Sequence, residues 1–239
     1  MQTQIKDTVA TVSPAKLNLT FDIVGGLPDG YHEVVTIMQA IDLEDRLTFH
    51  FDAASQFNVE LSASYVGNPG RIPLDSSNLI ARAARLFHEH VAPERGYLLR
   101  VEIEKRIPIT AGLGGGSGNA AATLLAMNHY FGQPVPDIDL ATLGSKLGAD
   151  VPFFLDGGTQ IGLRRGDILS PTPLGETLHF VVVHPQGIEI STPWIYSAYD
   201  EYVKAAGNDD DFEHPDLYEC KNALANCDLT QASRIFGNV

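Results

Sequence analysis

Five of the seven residues from 112 to 118 are glycines: Gly112, Gly114, Gly115, Gly116 and Gly118. They sit between an alternating strand pattern, YLLRVEIEKRIP, and a small-residue helix pattern, SGNAAATLLAMNHYF, whose start falls near Ser117. A tight turn that needs positive φ is served by one or two glycines, so five ask for more. Without Cβ atoms a backbone can approach an anion closely, and the free N–H groups and dipole of a helix N-terminus stabilise phosphate. Two other readings compete. A Walker A loop is excluded because no Lys-Ser/Thr follows the last glycine. Gly116-x-Gly118-x-x-Ala121 matches a dinucleotide fingerprint, but such a fingerprint begins at the strand end, and here roughly ten residues intervene.

Around the loop, strand and helix patterns alternate without an internal repeat. SPAKLNLTFDIV reads as a strand, GGLPDGYH as a loop, and EVVTIMQAI and RLTFHFD as strands joined through DLED. Ser76 or Ser77 is placed to cap a helix, NLIARAARLFHEHV. DLATLGSKLG reads as a third helix, and ADVPFFLDGGTQIGLRRGD as a strand hairpin. The character changes near residue 170: SPTPLGE resembles a linker, LHFVVVHP a buried strand, and Thr192-Pro193 a helix start. This places a domain boundary there, with residues 1–170 and 171–239 as two domains.

The chain of 239 residues can bury a full core. Its net charge of −14, from 30 acidic against 16 basic residues, argues against nucleic acid or an anionic membrane as the main partner. A site for phosphate esters must then be a local positive island. Lys105, Arg106 and Lys146 are candidates for that potential, with solvated surface charge as the plainer reading. No apolar run reaches the roughly 18–20 residues of a membrane helix, and no secretory signal is evident. A bacterial cytoplasm is the preferred setting, with plastid stroma as the other option. Cys220 and Cys227 fall on one helical face and read as ordinary buried thiols. FHEH, with His88 and His90, lacks metalloprotease spacing.

Four segments, in order, carry a resemblance. S-P-A-K-L-N-L (13–19), P-D-G-Y-H-E (28–33), T-A-G-L-G-G-G-S-G-N-A-A-A (110–122) and L-G-A-D-V-P-F-F (147–154) resemble the motifs of the GHMP kinase superfamily. Within it they are most similar to the 4-diphosphocytidyl-2-C-methyl-D-erythritol kinase family. The resemblance runs from about residue 12 to about residue 200. It implies an α+β fold: a ribosomal-S5-domain-2-like N-terminal domain and a ferredoxin-like C-terminal domain. It also implies transfer of the ATP γ-phosphate, with Mg²⁺, to a hydroxyl of a cytidine diphosphate sugar-alcohol, by a monomer or homodimer.

By the same resemblance Asp150 is the catalytic base and Lys16 its cationic partner. From the residues alone, Asp150 either caps a turn or does chemistry, and Lys16 is an edge lysine on a strand. Gly112, Leu113, Gly114, Gly115, Gly116, Ser117, Gly118 and Asn119 match the nucleotide loop, with helix capping a second role for Ser117. Asn18, Tyr31, His32 and Tyr196 match positions that hold the cytidyl end; a plain β-turn and core packing are the bland alternatives. No protein-only metal cage is visible, which fits Mg²⁺ arriving on ATP. Gly118 stands where the family commonly has Ser, and Asn119 is an accepted variant of Asp. The family's late G-S-G-type motif is absent, so the C-terminal domain is expected to be incomplete.

Overall fold

The computed structural model describes residues 8–28, 30–174, 176–185, 192–206, 216–226, 228, 230, 231, 234 and 236. The chain divides into two compact units. One comprises Met1–Lys16, Ile41–Ile109 and Leu113–Asp156; the other comprises Leu17–Ala40, Thr110–Gly112 and Gly157–Val239. Two long paired strands, β1 (Thr8–Gly26) and β2 (His32–Ala53), contribute to both.

In the first unit, the C-terminal half of β2 pairs antiparallel with β4 (Tyr97–Lys105), from Arg46↔Glu104 to Ala53↔Tyr97. β3 (Asn58–Tyr65) lies parallel to β4 on its other side. The period of two is plain: Leu99, Val101 and Ile103 are buried, whereas Arg100 and Glu102 are exposed. Helix α1 (Leu79–Val91) packs on α2 (Gly115–Tyr130), and α2 also meets α3 (Asp137–Ser145) and the single turn α4 (Phe153–Asp156). Helix α2 is apolar nearly all round and is correspondingly buried, with Ala120, Ala121, Leu124 and Met127 in the core.

Three local expectations are corrected here. Helix α1 is capped by Asn78, not by a serine: Asn78 Oδ1 accepts from Ile80 N at 2.9 Å. Ser77 is already engaged, its amide and hydroxyl both donating to Asp75 Oδ1. DLED does not separate two strands, because β2 runs straight through it with Asp45 fully buried. ADVPFFLDGG does not open a hairpin. Phe153 and Phe154 bury in a helical turn, and Gly157 and Gly158, both at positive φ, reverse the chain before β5 (Thr159–Arg164).

In the second unit, β5 pairs antiparallel with the N-terminal half of β2 (Val34↔Arg164 to Gln39↔Thr159) and with β6 (Ile168–Pro171). Helix α5 (Thr192–Ala206) begins at the expected Thr192, and α6 (Leu217–Ala225) is capped by Asp216. Cys220, Ala223 and Leu224 of α6 form a core with Leu19 and Ile37. Residues 178–185 are not a buried strand. Val181 and Val183 are 92% and 83% exposed, and among the described residues no strand pairs with this segment. An apolar run becomes a buried strand only when a neighbour covers it.

Cys220 is buried as expected; Cys227 lies outside the described residues. Burial pushes the Cys220 thiol up to about 11. Both access and thiolate are therefore withheld. In the native protein at neutral pH, maleimide should leave Cys220 unlabelled, and denaturant should expose it, as peptide mapping would show. Rapid native labelling at Cys220 would mean that α6 is not docked.

Candidate active site

The glycine loop leads into α2. Gly112 and Gly114 both have positive φ (71° and 70°), and Gly114 is the N-cap, in a left-handed conformation with no side-chain capping bond. The helix therefore opens at Gly115, two residues before the expected Ser117, which lies half-buried in its first turn. Amides uncapped by any side chain at a helix start are the donors that an anion requires.

Close packing explains why this segment is glycine. A Cβ on Gly114 would lie 2.6 Å from Phe154 Cζ and 3.1 Å from Lys16 Cγ. A Cβ on Gly118 would lie 2.6 Å from Ser13 Oγ and 3.0 Å from the Pro14 carbonyl oxygen. So Gly118 does not merely lack the family's serine. The space is taken by a hydroxyl from β1, and Ser13 is fully buried there.

Strand β1 also delivers Lys16 to the loop. The Lys16 amide donates to the Leu113 carbonyl at 2.9 Å. Its Nζ lies 3.7 Å from Asp150 Oδ2; the lysine side chain is 8% exposed and the aspartate 40%. Asp150 precedes α4 in a turn closed by backbone bonds, Val151 N to Gly148 O and Phe154 N to Val151 O. A buried cation beside an accessible carboxylate can bear phosphoryl charge on one side and accept a proton on the other.

In the second unit, Asn18 Nδ2 donates to Thr36 Oγ1 at 2.8 Å, and that hydroxyl donates to the Thr20 carbonyl. His32 stacks on Tyr196, with ring centroids 4.5 Å apart and planes 18° from parallel. Its Nε2 lies 2.7 Å from Asp200 Oδ1. Tyr31 is 58% exposed, with the Arg165 guanidinium 4.9 Å from its ring centre. Lys16 thus meets Asp150 within one unit, and His32 meets Tyr196 within the other.

Of the candidate cations, Lys146 is exposed and Arg106 pairs with Glu104. Lys105 corrects the surface reading. It is 2% exposed, and its Nζ donates to Asp45 Oδ2 at 2.7 Å and to the Ile107 carbonyl. Burial holds its pKa below the ordinary lysine range, against the opposing pull of the Asp45 hydrogen bond. Asp45 and Ser13 were not legible as site residues. The only signal for Asp45 was an acid within an otherwise strand-like run. Among the described residues no group of three or more His, Cys, Asp or Glu side chains gathers as a cation site.

Residues 78–158 match the GHMP kinases N terminal domain family. The 4-diphosphocytidyl-2-C-methyl-D-erythritol kinase of Synechococcus sp. (strain JA-3-3Ab) is 34% identical over 227 residues, which cover 95% of this chain and 71% of that protein. The chain belongs to the 4-diphosphocytidyl-2-C-methyl-D-erythritol kinase family of GHMP kinases. The family's enzyme from Acaryochloris marina is 39% identical over 187 residues, 78% of this chain. The alignment spans 58% of that relative's length. A crystal structure of a 4-(cytidine 5'-diphospho)-2C-methyl-D-erythritol kinase superposes with a TM-score of 0.64 at 32% identity, over 92% of this chain and 72% of that one. The fold is the α+β GHMP kinase fold. Among the described residues no helix is long and apolar enough to cross a membrane.

Proposed function

We propose that this chain carries the phosphoryl-transfer site for 4-diphosphocytidyl-2-C-methyl-D-erythritol, with ATP as donor. The observation that carries the reading is Lys16 Nζ at 3.7 Å from Asp150 Oδ2, on a lysine whose backbone is bonded to the glycine loop. In the reaction a substrate hydroxyl gives its proton to Asp150, and its oxygen bonds to the γ-phosphorus. The bond from that phosphorus to the β-γ bridging oxygen breaks, leaving ADP. Lys16 stabilises charge on the transferring group, and the α2 amides with Leu113 to Asn119 hold the nucleotide phosphates.

Mg²⁺ fits this residue set as a passenger on the nucleotide. Asp150, an accessible carboxylate, and Ser117, a first-turn hydroxyl, are the residues that would face an ion that keeps most of its waters and its phosphate ligands. The ion would supply charge neutralisation on the phosphates.

Asn18, Tyr31, His32 and Tyr196 hold the cytidyl end in this reading. It is supported by an exposed Tyr31 ring and by the His32–Tyr196 stack, which gathers two of the four side chains. Stacking on a base is worth about 1–3 kcal/mol by alanine substitution. Tyr31→Ala should therefore raise KM for the cytidyl substrate on the order of tenfold or more, with KM for ATP unchanged. Steady-state kinetics with each substrate varied in turn tests this, and an unchanged KM for the cytidyl substrate would remove Tyr31 from the site. A cytoplasmic setting belongs to the same proposal.

A further inference from the structure

One carboxylate lies under both ends of the glycine loop. Asp45 Oδ1 accepts from the amides of Arg106 (2.7 Å) and Ile107 (2.9 Å), where β4 turns into the loop. Asp45 Oδ2 accepts from Lys105 Nζ (2.7 Å) and from Asn119 Nδ2 (3.1 Å), where the loop has become α2. Asp45 is 0% exposed, Lys105 2% and Asn119 3%. Lys105 Nζ also sits 3.2 Å from where a Gly115 Cβ would be, directly beneath the first turn of α2. Between the two ends, Leu113 is bonded to Lys16.

We infer that Asp45, with Asn119, is a positioning residue that clamps both ends of the phosphate loop and sets its affinity for nucleotide. The inference rests on the proposed nucleotide role of that loop. Hydrogen bonds to a buried charge are among the stronger ones, and removing a single partner leaves the others uncompensated. The loop itself contains too many glycines to hold one shape unaided. A rigid cradle spares the ordering cost when phosphate binds.

The clamp also dictates residue 119. Its amide nitrogen faces a carboxylate at 3.1 Å, so Asp at that position would set two carboxylates side by side in a buried site. Asn serves here because Asp45 already holds the negative charge that Lys105 needs.

The test combines amide hydrogen exchange with steady-state kinetics on three proteins: wild type, Asn119→Ala and Asn119→Asp. Asn119→Ala cuts only the α2 end and leaves the Asp45–Lys105 pair intact, so folding is retained. Expected for it are exchange at residues 109–118 faster by about tenfold, unchanged exchange in β3 and β4, and KM for ATP raised about tenfold with kcat and KM for the cytidyl alcohol little changed. Asn119→Asp should do worse than Asn119→Ala in both readouts. A purely structural role predicts instead faster exchange throughout the first unit and a lower melting temperature with KM for ATP unmoved. That result, or an Asn119→Asp protein that matches wild type in both readouts, would overturn the inference. A wild-type chain that turns over no substrate would reject the phosphoryl-transfer reading, while loop exchange would still decide the clamp.

Discussion

Asp150→Asn should lower phosphoryl transfer by about 10²–10⁴-fold, the range over which a positioned general base accelerates proton transfer. The substitution is nearly isosteric, keeps an oxygen near Lys16 Nζ and removes the proton acceptor. Nucleotide binding should survive, because the loop amides and their anchor to Lys16 do not involve the Asp150 side chain. A nucleotide titration beside a turnover assay separates the two effects. Full turnover in Asp150→Asn would remove Asp150 from the reaction, whatever its distance from Lys16.

Gly114→Ala should be nearly as damaging, and by a different route. Gly114 is left-handed, which costs a residue with a Cβ roughly 1–2 kcal/mol. The new methyl would also sit 2.6 Å from Phe154 Cζ, a side chain buried in the first unit's core, and 3.1 Å from Lys16 Cγ. Overpacking of that kind costs typically about 1–3 kcal/mol. If the loop opens to relieve both, ATP affinity should fall on the order of a hundredfold, about 3 kcal/mol, and Lys16 should lose its place opposite Asp150. ATP titration of the variant tests this. Unaltered affinity, in a variant that melts like wild type, would show that the left-handed cap is not part of the nucleotide cradle.

The parts of this protein that were legible in sequence are those written in local pattern. Alternation in YLLRVEIEK placed β4, and a run of glycines before small residues placed the loop and α2. The hidden parts are set by distant residues. DLED looks like a polar connection, yet Asp45 is a buried strand residue because three donors from β4 and the loop, and a fourth from α2, converge on it. Lys105 looks like surface charge for the same reason: its partner is sixty positions away. LHFVVVHP has strand composition, yet among the described residues no strand pairs with it, and Val181 and Val183 stay exposed. At α1 the sequence pointed to Ser76 or Ser77 as the cap, but Asp75 engages Ser77 and Asn78, read as the first helical residue, makes the capping bond. Gly118 looks like a lost hydroxyl until Ser13 is seen in the space.

The most direct test of the central claim is ADP release by the 239-residue chain with Mg-ATP and 4-diphosphocytidyl-2-C-methyl-D-erythritol, beside unphosphorylated mevalonate as a control alcohol. The account predicts turnover with the cytidyl substrate, none with mevalonate, and loss of that turnover in Asp150→Asn. A folded chain that binds ATP and phosphorylates neither alcohol, or both equally, would contradict it.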